Sequence, residues 1–305
     1  MNASAGVSPE GGPRAGAGGG SGGSPRRTSA TLNTVRRVGS LVAIALIGGG
    51  MLMHAARAMR YHDTTPRSLP ANLHRLVVEA GDGDVDVRPS GEASARATPD
   101  ARWTWMRPRI EISTADAGAQ AVVRSSCPGW TPLQGCSVHW RLEVPDGTEV
   151  VLNTTRGDVD ARDLRGPVSA VTTSGDVELH RVEATAVNAR TTTGDVTLDR
   201  VRAPQVSART TTGDIVMRRG GAPAVVVEST TGEVTVDSSL ALDRLDATTT
   251  TGDVDVTVPR DAMGYRIERS GGTGSHRLEV LDDASSERTL RLDSTTGELT
   301  VTYAD

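Results

Sequence analysis

Ala189–Leu198 reads A-R-T-T-T-G-D-V-T-L, and nineteen residues later Ala208–Met217 reads A-R-T-T-T-G-D-I-V-M. The phrase recurs as T-T-R-G-D-V from Thr154, T-T-S-G-D-V from Thr172, S-T-T-G-E-V from Ser229, T-T-T-G-D-V from Thr249 and S-T-T-G-E-L from Ser294. Its glycines are Gly157, Gly175, Gly194, Gly213, Gly232, Gly252 and Gly297, and the first five steps between them are 18, 19, 19, 19 and 20 residues. Self-similarity at a short, fixed period means one structural unit stacked many times.

Period-two alternation places the side chains of one unit. Val187, Ala189, Thr191 and Thr193 share one face, and Asn188, Arg190 and Thr192 share the other. After Gly194 the phase resets, with Val196 and Leu198 on one side and Asp195, Thr197 and Asp199 on the other. One face carries Arg and Asp, so the apolar face is the core, and each unit is two short strands bent at the glycine. An antiparallel meander would need a tight turn at both ends of every strand, whereas coil-on-coil stacking puts identical residues in register. The expected fold is therefore all-β, a parallel β-solenoid of roughly 19-residue coils. Eight coils about 4.8 Å apart make a rod on the order of 40 Å long. The inward hydroxyls of Thr154, Thr172, Thr191, Thr210, Ser229 and Thr249 are placed to bond the hydroxyl or backbone of the coil above. The core is small-residued: the chain has no phenylalanine, and aromatics make up 2% of it.

What precedes the repeats differs in character. Residues 1–37 are Gly-, Ser- and Arg-rich with almost nothing apolar to bury, the composition of a disordered tail. Residues 38–56 carry no formal charge and are long enough to cross a hydrocarbon core as one helix. Arg26, Arg27, Arg36 and Arg37 before the span outnumber Arg57 and Arg60 after it, which favours an inside N-terminus. The alternative is a long signal peptide cleaved near Ala56-Arg57-Ala58. On either reading residues 57–72 are a linker, and residues 73–305 form an exported repeat domain. The chain has no lysine; residues 1–60 hold seven arginines against Glu10, leaving 26 arginines against 37 acids, a net of −11, for residues 61–305. An acidic folded part argues against a nucleic-acid partner.

The period is lost in an insert at about residues 90–138. This region and its margin hold Trp103, Trp105, Trp130 and Trp140, together with Cys127 and Cys136. The cysteine spacing suits a disulfide closing a Pro/Gly loop, two unpaired thiols being the alternative. The tryptophans suit a cap over the open end of the stack, or stacking on sugars. After Val256 the segment Ser270–Thr273 reads as a degenerate copy, and Ser294–Val301 as the closing one.

The acid after each glycine (Asp158, Asp176, Asp195, Asp214, Glu233, Asp253 and Glu298) forms a column of like charges that needs compensation. Backbone N–H groups around the bend are the first answer; calcium is a second, although the calcium-binding nonapeptide G-G-x-G-x-D is absent. Monotonous carboxylates and scattered histidines do not single out an acid and a base as a glycosidase-like β-helix enzyme requires. Arg190, Arg209 and Glu228 interrupt the regular threonine array that ice binding needs. No metal or cofactor site is expected. The candidate binding face is the repeated polar half of the motif: Arg190, Thr192, Asp195, Thr197, Arg209, Thr211 and Asp214.

The lead R-L-E-V-P-D-G-T-E-V-V-L-N-T-T-R-G-D-V-D-A at Arg141–Ala161, followed by serial T-T-x-G-D-V units, resembles the bacterial putative-adhesin family of β-strand repeat proteins, a family of unknown function. The resemblance spans about residues 73–301. It implies a β-solenoid at the cell envelope and supplies no catalytic residues. The expected protein is then a single-pass membrane protein with a cytoplasmic N-terminus, whose extracytoplasmic domain acts as a non-catalytic adhesin-like or scaffold module. Its partners would be the bilayer, through residues 38–56, and an envelope glycan or protein. The alternatives are an envelope-stress sensor, with the tail relaying the signal, and a carbohydrate-active β-helix enzyme.

Overall fold

The computed structural model describes residue 47 and residues 61–91, 94–128, 135–260, 263–271 and 274–304. Apart from Ile47, the expected tail (1–37) and membrane span (38–56) lie outside the described residues. Among the described residues no helix is long and apolar enough to cross a membrane.

The described residues from 61 to 304 form an all-β stack whose coils are parallel and in register. In the unit quoted first, one strand is Val187–Arg190 and the other Val196–Asp199, joined by the bend at Gly194. The first strand pairs with Val168–Val171 below and Gln205–Arg209 above, the second with Val177–His180 and Ile215–Gly220. The side chains follow the expected alternation: Val187, Ala189, Thr191, Val196 and Leu198 are buried, and Asn188, Arg190 and Thr197 face outward. Thr193 and Thr212 depart from it and are exposed, because the alternation ends where the chain turns into the bend. Their backbones still form a short ladder, Ser174–Thr193–Thr212–Thr231.

Each regular coil also has a third, short side that two bent strands alone do not provide. Arg165, Glu183, Arg202 and Gly221 make single bridges from coil to coil, with Leu164, Val182 and Val201 buried beside them. The corner leading into this side is left-handed at Asp163, Arg181, Arg200 and Arg219, with φ of 58°, 53°, 55° and 52°. Non-glycine residues pay a strain there of about 1–2 kcal/mol each. Backbone bonds across coils hold the corner: the Arg181 N–H donates to the Asp199 carbonyl at 2.8 Å, and the Arg200 N–H to that of Arg218 at 2.9 Å.

Ten coils stack, but chain order and stacking order differ at both ends. The first coil in sequence, Arg75–Asp82 and Val85–Pro89, lies second in the stack. Below it is a coil made by the insert itself, Gln120–Ser126 and Cys136–Val144, parallel to its neighbours although it lacks the repeat phrase. Cys127 and Cys136 are disulfide-bonded, Cα to Cα 5.9 Å, where other coils carry the glycine bend. Trp140 takes the column position of Val85, is buried, and donates its indole N–H to Ser125 Oγ at 2.9 Å. Antiparallel strands Arg96–Trp103 and Arg109–Ala115 then cover this end. The expected linker contributes as well: Tyr61–Asp63 and Arg67–Ser68 pair with Arg96–Trp103, and Leu69 is buried. At the far end the closing copy, Thr289–Thr296 and Leu299–Tyr303, stacks directly on Arg244–Thr251 and Val254–Val258. The degenerate coil, Arg266–Gly271 and His276–Leu278, is outermost.

The bend is where coils approach most closely. A Cβ on Gly194 (φ +139°) would stand 2.1 Å from the Gly175 carbonyl oxygen, and one on Gly213 (φ +141°) 2.0 Å from that of Gly194. Gly194→Ala is therefore expected to cost about 3 kcal/mol or more in urea unfolding. Gly147→Ala is the control, since φ is +82° there but nothing lies within 4 Å of the added methyl. It is expected to cost about 1 kcal/mol. Equal losses in the two variants would contradict the close-approach account.

Candidate functional site

The bend edge is built by two ladders running from coil to coil. On the inside, each buried hydroxyl donates to the glycine carbonyl of the preceding coil. Thr191 Oγ1 reaches Gly175 O at 2.9 Å, Thr210 reaches Gly194 at 3.0 Å, and Ser229 reaches Gly213 at 3.1 Å. Thr154, Thr172, Thr249 and Ser294 do the same. On the outside, each aspartate accepts the backbone N–H of the acid one coil further on. Asp176 Oδ1 takes the Asp195 N–H at 2.8 Å, Asp195 that of Asp214 at 2.8 Å, and Asp214 that of Glu233 at 2.8 Å. The amide compensation expected for these acids is present, but it crosses coils instead of closing locally around each bend. The ladder breaks at Glu233: its longer side chain turns back to accept Thr235 Oγ1 at 3.0 Å, and no such bond joins it to Asp253. At the capped end His139 takes the column position, its Nδ1 lying 3.2 Å from the Asp84 amide nitrogen and 2.9 Å from Asp84 Oδ2.

The seven candidate residues do not share one surface. Thr192, Asp195, Thr211 and Asp214 lie together along the bend edge, all exposed. Arg190 and Arg209 are on the outer face of the first-strand sheet, in register with each other. Arg209 Nε pairs with Glu228 Oε2 at 2.7 Å, and that bond holds the Glu228 carboxyl below its ordinary range. Arg190 makes no ion pair among the described residues. Thr197 is half-buried on the outer face of the second-strand sheet, between Glu178 and Val216.

That second face also gathers residues that were not singled out in the repeat. Asp160, Glu178 and His180 bring ligand-type atoms within 4.8 Å of one another. Arg162 sits among them, with Nε 2.7 and 2.8 Å from the two Asp160 oxygens, and His180 Nε2 lies 3.2 Å from Glu178 Oε2. The arginine already supplies the countercharge a cation would bring, so the cluster is an ion-pair network. It continues to Asp199, where burial raises the carboxyl's pKa but Arg219 and Arg200 outweigh it and hold the pKa below the ordinary value. The readable signal was the offset of 18 residues between Asp160 and Glu178, one coil apart on the same face. Shallow grooves also mark the surface of the described residues. One, of about 450 Å³, is lined by Asp84, Asp86, Asp100, His139 and Asp158. Another, of about 530 Å³, has Pro167, Ala186, Ala224 and Val226 in its walls.

Residues 69–304 match the Toastrack DUF4097 family, and the chain belongs to it. The putative-adhesin resemblance read from the G-D-V phrases holds. Among solved structures, a putative adhesin from Bacteroides fragilis is similar in fold, 12% identical, with a TM-score of 0.50 over 79% of this chain and 97% of that one. A putative lipid binding protein from Parabacteroides distasonis is 12% identical with a TM-score of 0.49, covering 80% of this chain and 97% of that one. No curated protein matches the chain in sequence.

Glu233→Asp shortens the side chain at the one break among the regular coils. It is expected to restore the bond to the Asp253 amide and to stabilise the protein by about 1 kcal/mol in urea unfolding. Unchanged or lower stability would count against the ladder as a stabilising element.

Proposed function

We propose that this protein is a non-catalytic binding module of the bacterial cell envelope, anchored through residues 38–56 with its repeat domain outside the membrane. The observation that carries the reading is the charge left over along the bend edge. Asp158, Asp176, Asp195, Asp214, Glu233, Asp253 and Glu298 enter no ion pair among the described residues, while most arginines on the sheet faces are paired. Asp158, Asp176, Asp195, Asp214 and Asp253 each use one oxygen on a backbone amide, and among the described residues no hydrogen bond takes the second. With the exposed threonines beside them, the edge offers hydroxyl and carboxylate groups at a repeat of about 4.8 Å. A one-dimensional array of that kind suits an extended, repetitive ligand such as an envelope glycan, or an extended protein segment. Family membership and the fold shared with the Bacteroides fragilis protein support a binding role in the same direction.

The test is capture from envelope extracts and glycan arrays by the full-length protein. Thr192→Ala, Thr211→Ala, Asp195→Asn and Asp214→Asn, combined, are expected to weaken capture at least tenfold. Asparagine keeps the oxygen that accepts the next amide, so the stack should stay folded. Deletion of residues 1–35 is expected to leave capture unchanged. Capture that survives the quadruple substitution would remove the bend edge from the reading, and a stress response lost on tail deletion would favour a sensor.

A further inference from the structure

Both sheets end in strands with one side unpaired, and the four ends are not alike. The outermost strand at the far end, Arg266–Gly271, is obstructed: Asp282 Oδ1 accepts the Ile267 N–H at 3.3 Å, and Leu281 and Asp283 bracket Tyr265 with backbone bonds of 3.0 and 2.9 Å. Its companion, His276–Leu278, is three residues long. At the capped end the second-strand sheet closes with Tyr61–Asp63 and Arg67–Ser68, three and two residues long. The remaining edge, Arg109–Ala115, is seven residues long and pairs on one side with Gln120–Ser126. Among the described residues no hydrogen bond reaches its other side. Proteins blunt such edges with a bulge, a proline, a lysine or a plugging charge. Arg109–Ala115 has no bulge, no lysine and no inward-pointing charge, and the nearest proline, Pro108, precedes the strand; its two charges, Arg109 and Glu111, are of opposite sign and face outward.

The same stretch carries apolar surface that the described residues leave uncovered. Ile110 and Ile112 face the core yet remain only half-buried, whereas Val123 and Val78, in line with Ile112, are fully buried. Just before the strand, Trp105 and Met106 are 66% and 48% exposed.

We propose that this edge docks a second copy of the chain, antiparallel, about a twofold axis through Ile110. On such an axis only a register centred on a residue keeps inward side chains on one face. Centring on Ile110 sets it against the partner's Ile110, Arg109 against the partner's Glu111, and Glu111 against the partner's Arg109. Arg109 and Glu111 are both exposed, point outward and lie 3.8 Å apart within the strand, so the twofold makes one opposite-charge contact between the chains, twice. Pro108 then faces the partner's Ile112 at the strand start, where a missing N–H is tolerated. Shifting the axis to Ile112 leaves Arg109 facing alanine and Glu111 facing serine, so the charges select the Ile110 register. Backbone hydrogen bonds supply the affinity, as in other strand-addition interfaces. The docking is independent of the ligand proposed for the bend edge.

Sedimentation equilibrium of the full-length protein in density-matched detergent tests this. The wild type is expected to dimerise, and Glu111→Arg or Arg109→Glu alone to raise the dimer Kd at least tenfold by opposing like charges twice. The double variant R109E/E111R is expected to return Kd to within about threefold of wild type. Unchanged melting temperatures would show that the exposed substitutions leave the fold intact. A wild type monomeric at all concentrations, a dimer indifferent to the single reversals, or a double variant that does not recover would each overturn the proposal. So would a monomer that instead takes up an added extended peptide at this edge, which would assign the edge to a different partner.

Discussion

Coils in this protein come closest at the bend, where the Gly175 carbonyl oxygen occupies space that any side chain on Gly194 would need. This approach is repeated at Gly213, Gly232, Gly252 and Gly297, and much else follows from it. It brings the inward threonine within reach of the glycine carbonyl below, and the outward aspartate within reach of the amide above. The T-T-x-G-D phrase is thus a unit of coil-to-coil bonding: glycine for proximity, threonine for the inner rung, aspartate for the outer one. A carboxylate column spaced about 4.8 Å apart would repel itself if left to solvent alone; amide bonds to the charged oxygens offset that repulsion.

The interior needs little more than this register. Columns such as Val168, Val187, Val206, Val225 and Leu245 stack identical or near-identical small side chains, each almost wholly buried. Burial of such side chains contributes about 1.5–3 kcal/mol apiece, whereas the exposed arginine–carboxylate pairs on the sheet faces each contribute about 0–1 kcal/mol. The ion pairs therefore do more to set register and surface charge than to hold the fold. Arginine bound to a neighbouring coil's carboxylate, as in Arg124–Glu79 and Arg209–Glu228, discourages slippage between coils.

Much of this was legible because the repeat is periodic and its phase is clear. Parallel stacking, the buried threonines, the outward arginines and the Cys127–Cys136 bond all follow from alternation and spacing. The features that escaped are those where no residue type marks the geometry. The left-handed corner is occupied by Asp163, Arg181, Arg200 and Arg219, not by the glycine or asparagine that would announce it. The insert's own coil was hidden because a disulfide loop replaces its G-D bend and Trp140 replaces valine. The exchange of order at both ends depends on which coil covers which, and alternation within a strand carries no such information. The candidate face was legible residue by residue, but its division between two sheets and a bend edge was not, since position relative to the bend sets it.

Amide hydrogen exchange resolved at single residues tests the central claim most directly, because the ladder amides belong to residues that are otherwise exposed. If the outer rung is real, the N–H groups of Asp195, Asp214 and Glu233 exchange as slowly as strand amides such as that of Val196. The Asp253 N–H, one coil above the break at Glu233, should exchange markedly faster. Fast exchange at Asp195, Asp214 and Glu233, matching Asp253, would contradict the account.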